Sequence, residues 1–182
     1  MLTEEHPACD NFSALHESLH HAFVLCRQFR AYVDDVPGCV APVDLSNIVA
    51  DCIALLRTIA GEQIEFDLSL RALPQVTGRL GDLEQMLVDL VTYAAEMQTG
   101  SSRRIGIETR YEQSASPDGR SDFVVLSVIS GREGFGSAER SAGGDLPELG
   151  SVRCIVADHD GTVSVLKTED TTRFDIRLPC QG

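Results

Sequence analysis

The stretch LEQMLVDLVTYAAEM, residues 83 to 97, decides how the rest of the chain is read. Leu83, Met86, Leu87, Leu90, Val91 and Ala94 recur at spacings of three and four, the period of a helix with one apolar stripe. Asp82 stands just ahead as a candidate N-cap. A stripe this wide has to be buried, so what flanks it sets the fold.

Before it, PVDLSNIVADCIALLRTIAG reads as a helix with Ile48, Cys52, Leu55, Leu56 and Ile59 on one face, stopped by Gly61. QIEFDLSL alternates strictly and reads as a strand with Ile64, Phe66, Leu68 and Leu70 inward; Pro74 to Gly78 makes a bend. After it, RRIGIETRYEQ and SDFVVLSVIS are strands joined by the turn-rich SASPDGR. Residues 131 to 147 form a glycine-rich loop, PELGSVRCIVADH a short helix, and GTVSVLKT and TRFDIRLP a closing hairpin across EDT. Mixed helices and strands with antiparallel hairpins predict an α/β two-layer sandwich, a mixed sheet with helices on one face.

The N-terminal region is different in kind. Phe12, Leu15, Leu19, Ala22, Cys26, Phe29 and Val33 form a heptad seam, which predicts one long helix over about 11 to 33, capped by Asp10 or Asn11. Phe23 and Leu25 widen the seam, so the helix is expected to enter a bundle or a homodimer. The proline- and glycine-containing DDVPGCVAP then separates an N-terminal unit, residues 1–40, from a main domain, residues 41–182.

Composition narrows the function. The 182 residues carry a formal charge of -13, and Lys167 is the single lysine, which argues against nucleic acid and against an acidic membrane surface as partners. The 6 cysteines, without a C-x-x-C pair and mostly among apolar neighbours, suit a reducing compartment. Glu4, Glu5 and His6 stand where a signal peptide needs basic then apolar residues, and no apolar run approaches the roughly 18 residues of a membrane span. A cytoplasmic protein is expected.

From about residue 42 to 180 the chain resembles the ATP-binding catalytic domain of sensor histidine kinases, in the GHKL (Bergerat-fold) superfamily shared with gyrase and MutL. PVDLSNIVADCIALLR looks like the family's first helix, LEQMLVDLVTYAAEM like its asparagine-box helix, LGSVRCIVADHDGTVSV like the helix and strand after its ATP lid, and TTRFDIRLP like its last strand. The resemblance implies that fold and a role in two-component signalling. It also implies a set of nucleotide positions, and there this sequence departs from the family. Asp89 and Tyr93 stand at the two box asparagines, the second of which holds magnesium; a phenol is a poor ligand for a hard cation. SGREGFG replaces D-x-G-x-G, putting Ser130 at the adenine-binding aspartate and Arg132 at the first glycine and keeping only Gly134 of the motif, though Gly134 and Gly136 could still flex around a ligand. In GGDLPELG, after Gly143 and Gly144, Leu146 and Glu148 stand where bare amides would meet phosphate, and a carboxylate there repels it. The expectation is a pseudokinase: no cofactor, with ATP and Mg2+ bound only if the altered site still accepts them. It would work by binding a response regulator receiver domain or a sensor kinase.

Three histidines fall within ALHESLHHAF, residues 14 to 23. His16-Glu17-x-x-His20 matches the H-E-x-x-H spelling of zinc proteases, but His6, His21 and His159 supply no third-ligand motif, so no metal is expected. His16-Glu17 also resembles a phosphoacceptor box, and certain histidine phosphotransferases pair a kinase-like hairpin with a catalytic domain that no longer uses ATP. An enzyme of that kind would use His16 as nucleophile. Only about ten residues precede this helix, and it looks like the second helix of the family's hairpin, which favours a solvated flank for His16, His20 and His21. His16→Ala separates the readings: phosphotransfer is abolished if His16 is the acceptor, and partner binding is nearly unchanged if it is a flank residue.

Overall fold

The computed structural model describes residues 39–61, 63–98, 103–113, 122–131, 149–168 and 171–180. The N-terminal helix, His16, the loop with Gly134 and Gly136, and Leu146 and Glu148 lie outside the described residues.

In chain order the elements are β1 (Ala41–Val43), α1 (Leu45–Ala60), β2 (Ile64–Ser69), β3 (Val76–Gly78), α2 (Leu80–Glu96), β4 (Arg103–Glu112), β5 (Phe123–Gly131), α3 (Gly150–Asp158), β6 (Thr162–Lys167) and β7 (Thr171–Pro179). β1 and β3 form a small antiparallel pair, and five strands form the main sheet in the order β2-β4-β5-β7-β6. β2 runs parallel to β4 and the other neighbours are antiparallel, so the sheet is mixed. A parallel pair needs a crossover, and the segment carrying α2 supplies it.

Local chemistry sets the helix ends. Asp44 is extended, and its carboxylate accepts from the amides of Ser46 (2.8 Å) and Asn47 (3.4 Å), starting α1; Gly61 ends it at φ 91°, a value costly for other residues. α2 begins two residues before the expected cap. Arg79 is its N-cap and makes no side-chain capping bond, while Asp82 sits in the first turn and pairs with Arg79 at 3.3 Å. There the carboxylate faces the positive end of the helix, which rewards the same residue type without its being the cap.

α2 buries Leu83, Met86, Leu87, Leu90, Val91 and Ala94 as its spacing predicts, and Val88 with them. Beneath it the sheet presents Ile105 and Ile107 of β4, Val124, Leu126 and Val128 of β5, and Phe174, Ile176 and Leu178 of β7, all buried. Strand register places them side by side on one face: Ile107 opposite Val128, and Val128 opposite Phe174. On α1, Val49 and Leu56 are buried while Leu55 is 37 % exposed; Leu68 of β2 is also 37 % exposed. Strict inward placement of Leu55 and Leu68 is corrected, because β2 is the sheet edge and α1 reaches over little of it. The Pro74–Gly78 bend ends in a strand, paired Val43 to Val76.

Two polar joints fasten this frame. Ser46 donates to the Arg71 carbonyl (2.7 Å), so the fully buried Thr109 hydroxyl donates to Ser46 (2.8 Å) and accepts the Arg71 N–H (3.1 Å), tying α1 to β4 and the chain after β2. The opposite face of the sheet carries an ion network built on the buried Asp175. Arg173 pairs with Asp175 at 2.8 Å and with Glu108 at 3.2 Å, and Arg110 with Asp175 at 3.3 Å and Glu112 at 2.9 Å. Ser127 donates to Asp175 at 2.6 Å. Burial pushes the Asp175 carboxyl up, and the Ser127 hydroxyl with Arg173 and Arg110 outweighs it, leaving the group below its ordinary value.

Two outcomes follow. A carboxyl depressed in the folded state contributes stability above its unfolded value, about 3.9, and loses that contribution as pH falls through the folded value. Asp175→Asn is therefore expected to lose about 2 kcal/mol at neutral pH and to show a flatter acid limb in urea unfolding measured against pH. A Cβ at Gly161 would lie 2.6 Å from the Arg177 carbonyl and 2.6 Å from Leu178 Cδ2, so Gly161→Ala should cost about 1–3 kcal/mol in the same measurement.

Candidate functional site

Three of the positions singled out in the sequence, Asp89, Tyr93 and Ser130, meet around the C-terminal half of α2. Asp89 and Tyr93 are four apart and so stand one above the other beside the buried stripe, each half-buried. Ser130 closes β5 on the face that α2 covers.

Each spends its chemistry on the protein itself. The Gln85 amide, one turn back, donates to one oxygen of Asp89, and the Ser151 hydroxyl donates to the other at 2.7 Å. Ser151 is in the first turn of α3, a helix with no side-chain N-cap and no acidic residue in that turn. Asp89 thus brings a negative charge to the positive end of a neighbouring helix. The Tyr93 ring stands edge-on to Phe174, centroids 5.8 Å apart and planes at 76°, a favourable aromatic geometry over the β7 side of the core. Ser130, 5 % exposed, donates to the Ala94 carbonyl at 2.9 Å and ties the end of β5 to the last turn of α2.

Gln85, Ser151, Phe174 and Ala94, the partners of these residues, were not identified from the sequence. Gln85 had a usable signal, the i, i+4 step to Asp89. Ser151 and Phe174 had none, since 62 and 81 residues separate them from their partners. Among the described residues no group of three or more His, Cys, Asp and Glu could hold a metal ion, and no helix is long and apolar enough to cross a membrane.

Comparison with known proteins places this geometry. No protein-family model matches the sequence, and no curated protein matches it. Solved structures do. The nucleotide-free catalytic domain of histidine kinase ThkA superposes with a TM-score of 0.57 at 18 % identity, covering 78 % of this chain and 97 % of that one. ThkA in complex with the response regulator protein TrrA gives 0.61 at 17 %, covering 99 % and 53 %. Histidine kinase AdeS of Acinetobacter baumannii gives 0.59 at 13 %, covering 100 % and 88 %. Full-length ShkA in complex with AMPPNP gives 0.59 at 22 %, covering 99 % of this chain and 40 % of that one. The chain has the fold of a histidine kinase catalytic domain.

The Ser130 contact gives a direct check. Ser130→Ala removes the donor to a buried carbonyl and is expected to cost about 1–2 kcal/mol in urea unfolding. Ser130→Asp should cost more, because a carboxylate has no proton for Ala94 and would be buried against a carbonyl oxygen.

Proposed function

We propose that this protein is a cytoplasmic two-component signalling protein whose histidine-kinase-like domain acts by binding protein partners and is not an ATP-dependent kinase. The carrying observation is that all three described box positions are engaged by the protein's own groups: Asp89 on Gln85 and Ser151, Tyr93 on Phe174, Ser130 on Ala94. A nucleotide using the family's positions would meet a carboxylate where it needs a neutral amide, a packed phenol where magnesium needs an oxygen ligand, and a hydroxyl whose proton is already given. These groups do not fit ATP with Mg2+, and no step is assigned to either.

The fold supports the partner class. ThkA, which shares it, has been solved with a response regulator protein, and a receiver domain or a sensor kinase is the partner proposed here. The heptad seam over residues 11 to 33 is proposed to join two copies. The experiment has two arms on the full chain: binding to a panel of purified receiver domains, and incubation with radiolabelled ATP and Mg2+. Expected are binding to a receiver domain at about micromolar Kd, roughly -8 kcal/mol, and no label on the protein. Label incorporated into the chain, at His16 or elsewhere, would overturn the proposal.

A further inference from the structure

His159, which the site does not use, closes the far end of α3. Its ring is 9 % exposed and makes two hydrogen bonds. Nδ1 lies 2.7 Å from the Ile155 carbonyl one turn back, and Nε2 lies 3.1 Å from the Arg79 amide nitrogen. A carbonyl only accepts and a backbone N–H only donates. The proton is therefore on Nδ1, Nε2 offers its lone pair, and the ring is neutral. Gly78 makes the room: a Cβ there would lie 2.6 Å from Cδ2 and 2.8 Å from Nε2 of this ring.

Arg79 is the N-cap of α2, and that helix has no side-chain capping bond of its own. The imidazole thus joins the end of α3 to the start of α2. A second proton, on Nε2, would set N–H against N–H and place a positive charge at the positive end of α2, in a largely buried position. The charged groups of the elements around the ring are Arg79 and Asp82 at the start of α2, paired with each other at 3.3 Å, Asp158 and Asp160 on its own helix end, and Arg177 of β7, bonded to Glu112 at 2.9 Å. The carboxylates nearest in the chain thus belong to an existing pair or to the exposed turn.

We infer that His159 is a protonation-operated pin: neutral, it holds the end of α3 on the start of α2, and protonated it lets go. The rest of α3 stays seated through Ser151 on Asp89 and through the buried Val152 and Val156, so release is confined to the end of the helix. This inference stands on geometry alone and is independent of the proposed partner role.

The test is an NMR acid titration of the isotope-labelled full chain, following the His159 ring nitrogens and the Arg79 amide. At neutral pH the Nδ1–H tautomer is expected. As the ring charges, the Arg79 amide should shift with it and exchange about tenfold faster or more, the scale set by loss of one backbone hydrogen bond, while core methyl signals stay native. His159→Gln offers a carbonyl that can accept from Arg79 without titrating, and should abolish that change. An Nε2–H tautomer at neutral pH, an Arg79 amide indifferent to the ring's charge, or the same change in a folded His159→Gln variant would overturn the pin. Should that variant not fold, the first two readouts on the native chain decide.

Discussion

The burial of one helix stripe against one sheet face is the constraint on which the described structure depends. Leu83, Met86, Leu87, Leu90, Val91 and Ala94 leave water against β4 and β5 beneath and against α1 and α3 at the sides, and the inward residues of the sheet are matched by register into continuous apolar rows. Losing Phe174, fully buried in the middle of that face, would cost about 3–5 kcal/mol, a large fraction of what a domain of this size has to spare. Once α2 is seated, its polar flank is no longer free to choose its direction. Asp89 and Tyr93 are delivered to the edge of the core, and Ser130 is delivered beneath the last turn of the helix.

That seating explains why the altered positions cohere. Tyr93 extends the core by standing edge-on to Phe174, Ser130 pins strand to helix, and Asp89 receives the start of α3. Each is a stabilising contact of an ordinary kind, and the proposed function takes the three together as replacing a ligand-facing edge.

Most of the frame was legible in the chain because it follows from periodicity. The α2 stripe, the Gly61 end of α1, the β4–β5 pair and the closing β6–β7 hairpin are all local patterns, and the five-stranded mixed sheet agrees with the family resemblance. What was not legible depends on tertiary position. Leu55 and Leu68 carry correct alternation or stripe spacing yet stand 37 % exposed, since no local signal says that β2 is an edge. Asp82 has the chemistry of a cap and is used within the first turn instead. At the site, the identities of Asp89, Tyr93 and Ser130 could be singled out by resemblance, but Ser151 and Phe174 come from distant elements, and nothing local marks the Arg79 amide as the partner of the His159 ring.

The central claim is that the family's nucleotide positions have been taken up by the protein's own contacts. Calorimetric titration of the full chain with ATP and Mg2+, with ADP alone as a second titrant, tests it most directly. The account predicts no binding heat up to millimolar nucleotide. A saturable isotherm with a micromolar dissociation constant, about -8 kcal/mol, would mean that Asp89, Tyr93 and Ser130 yield to a ligand, and would contradict it.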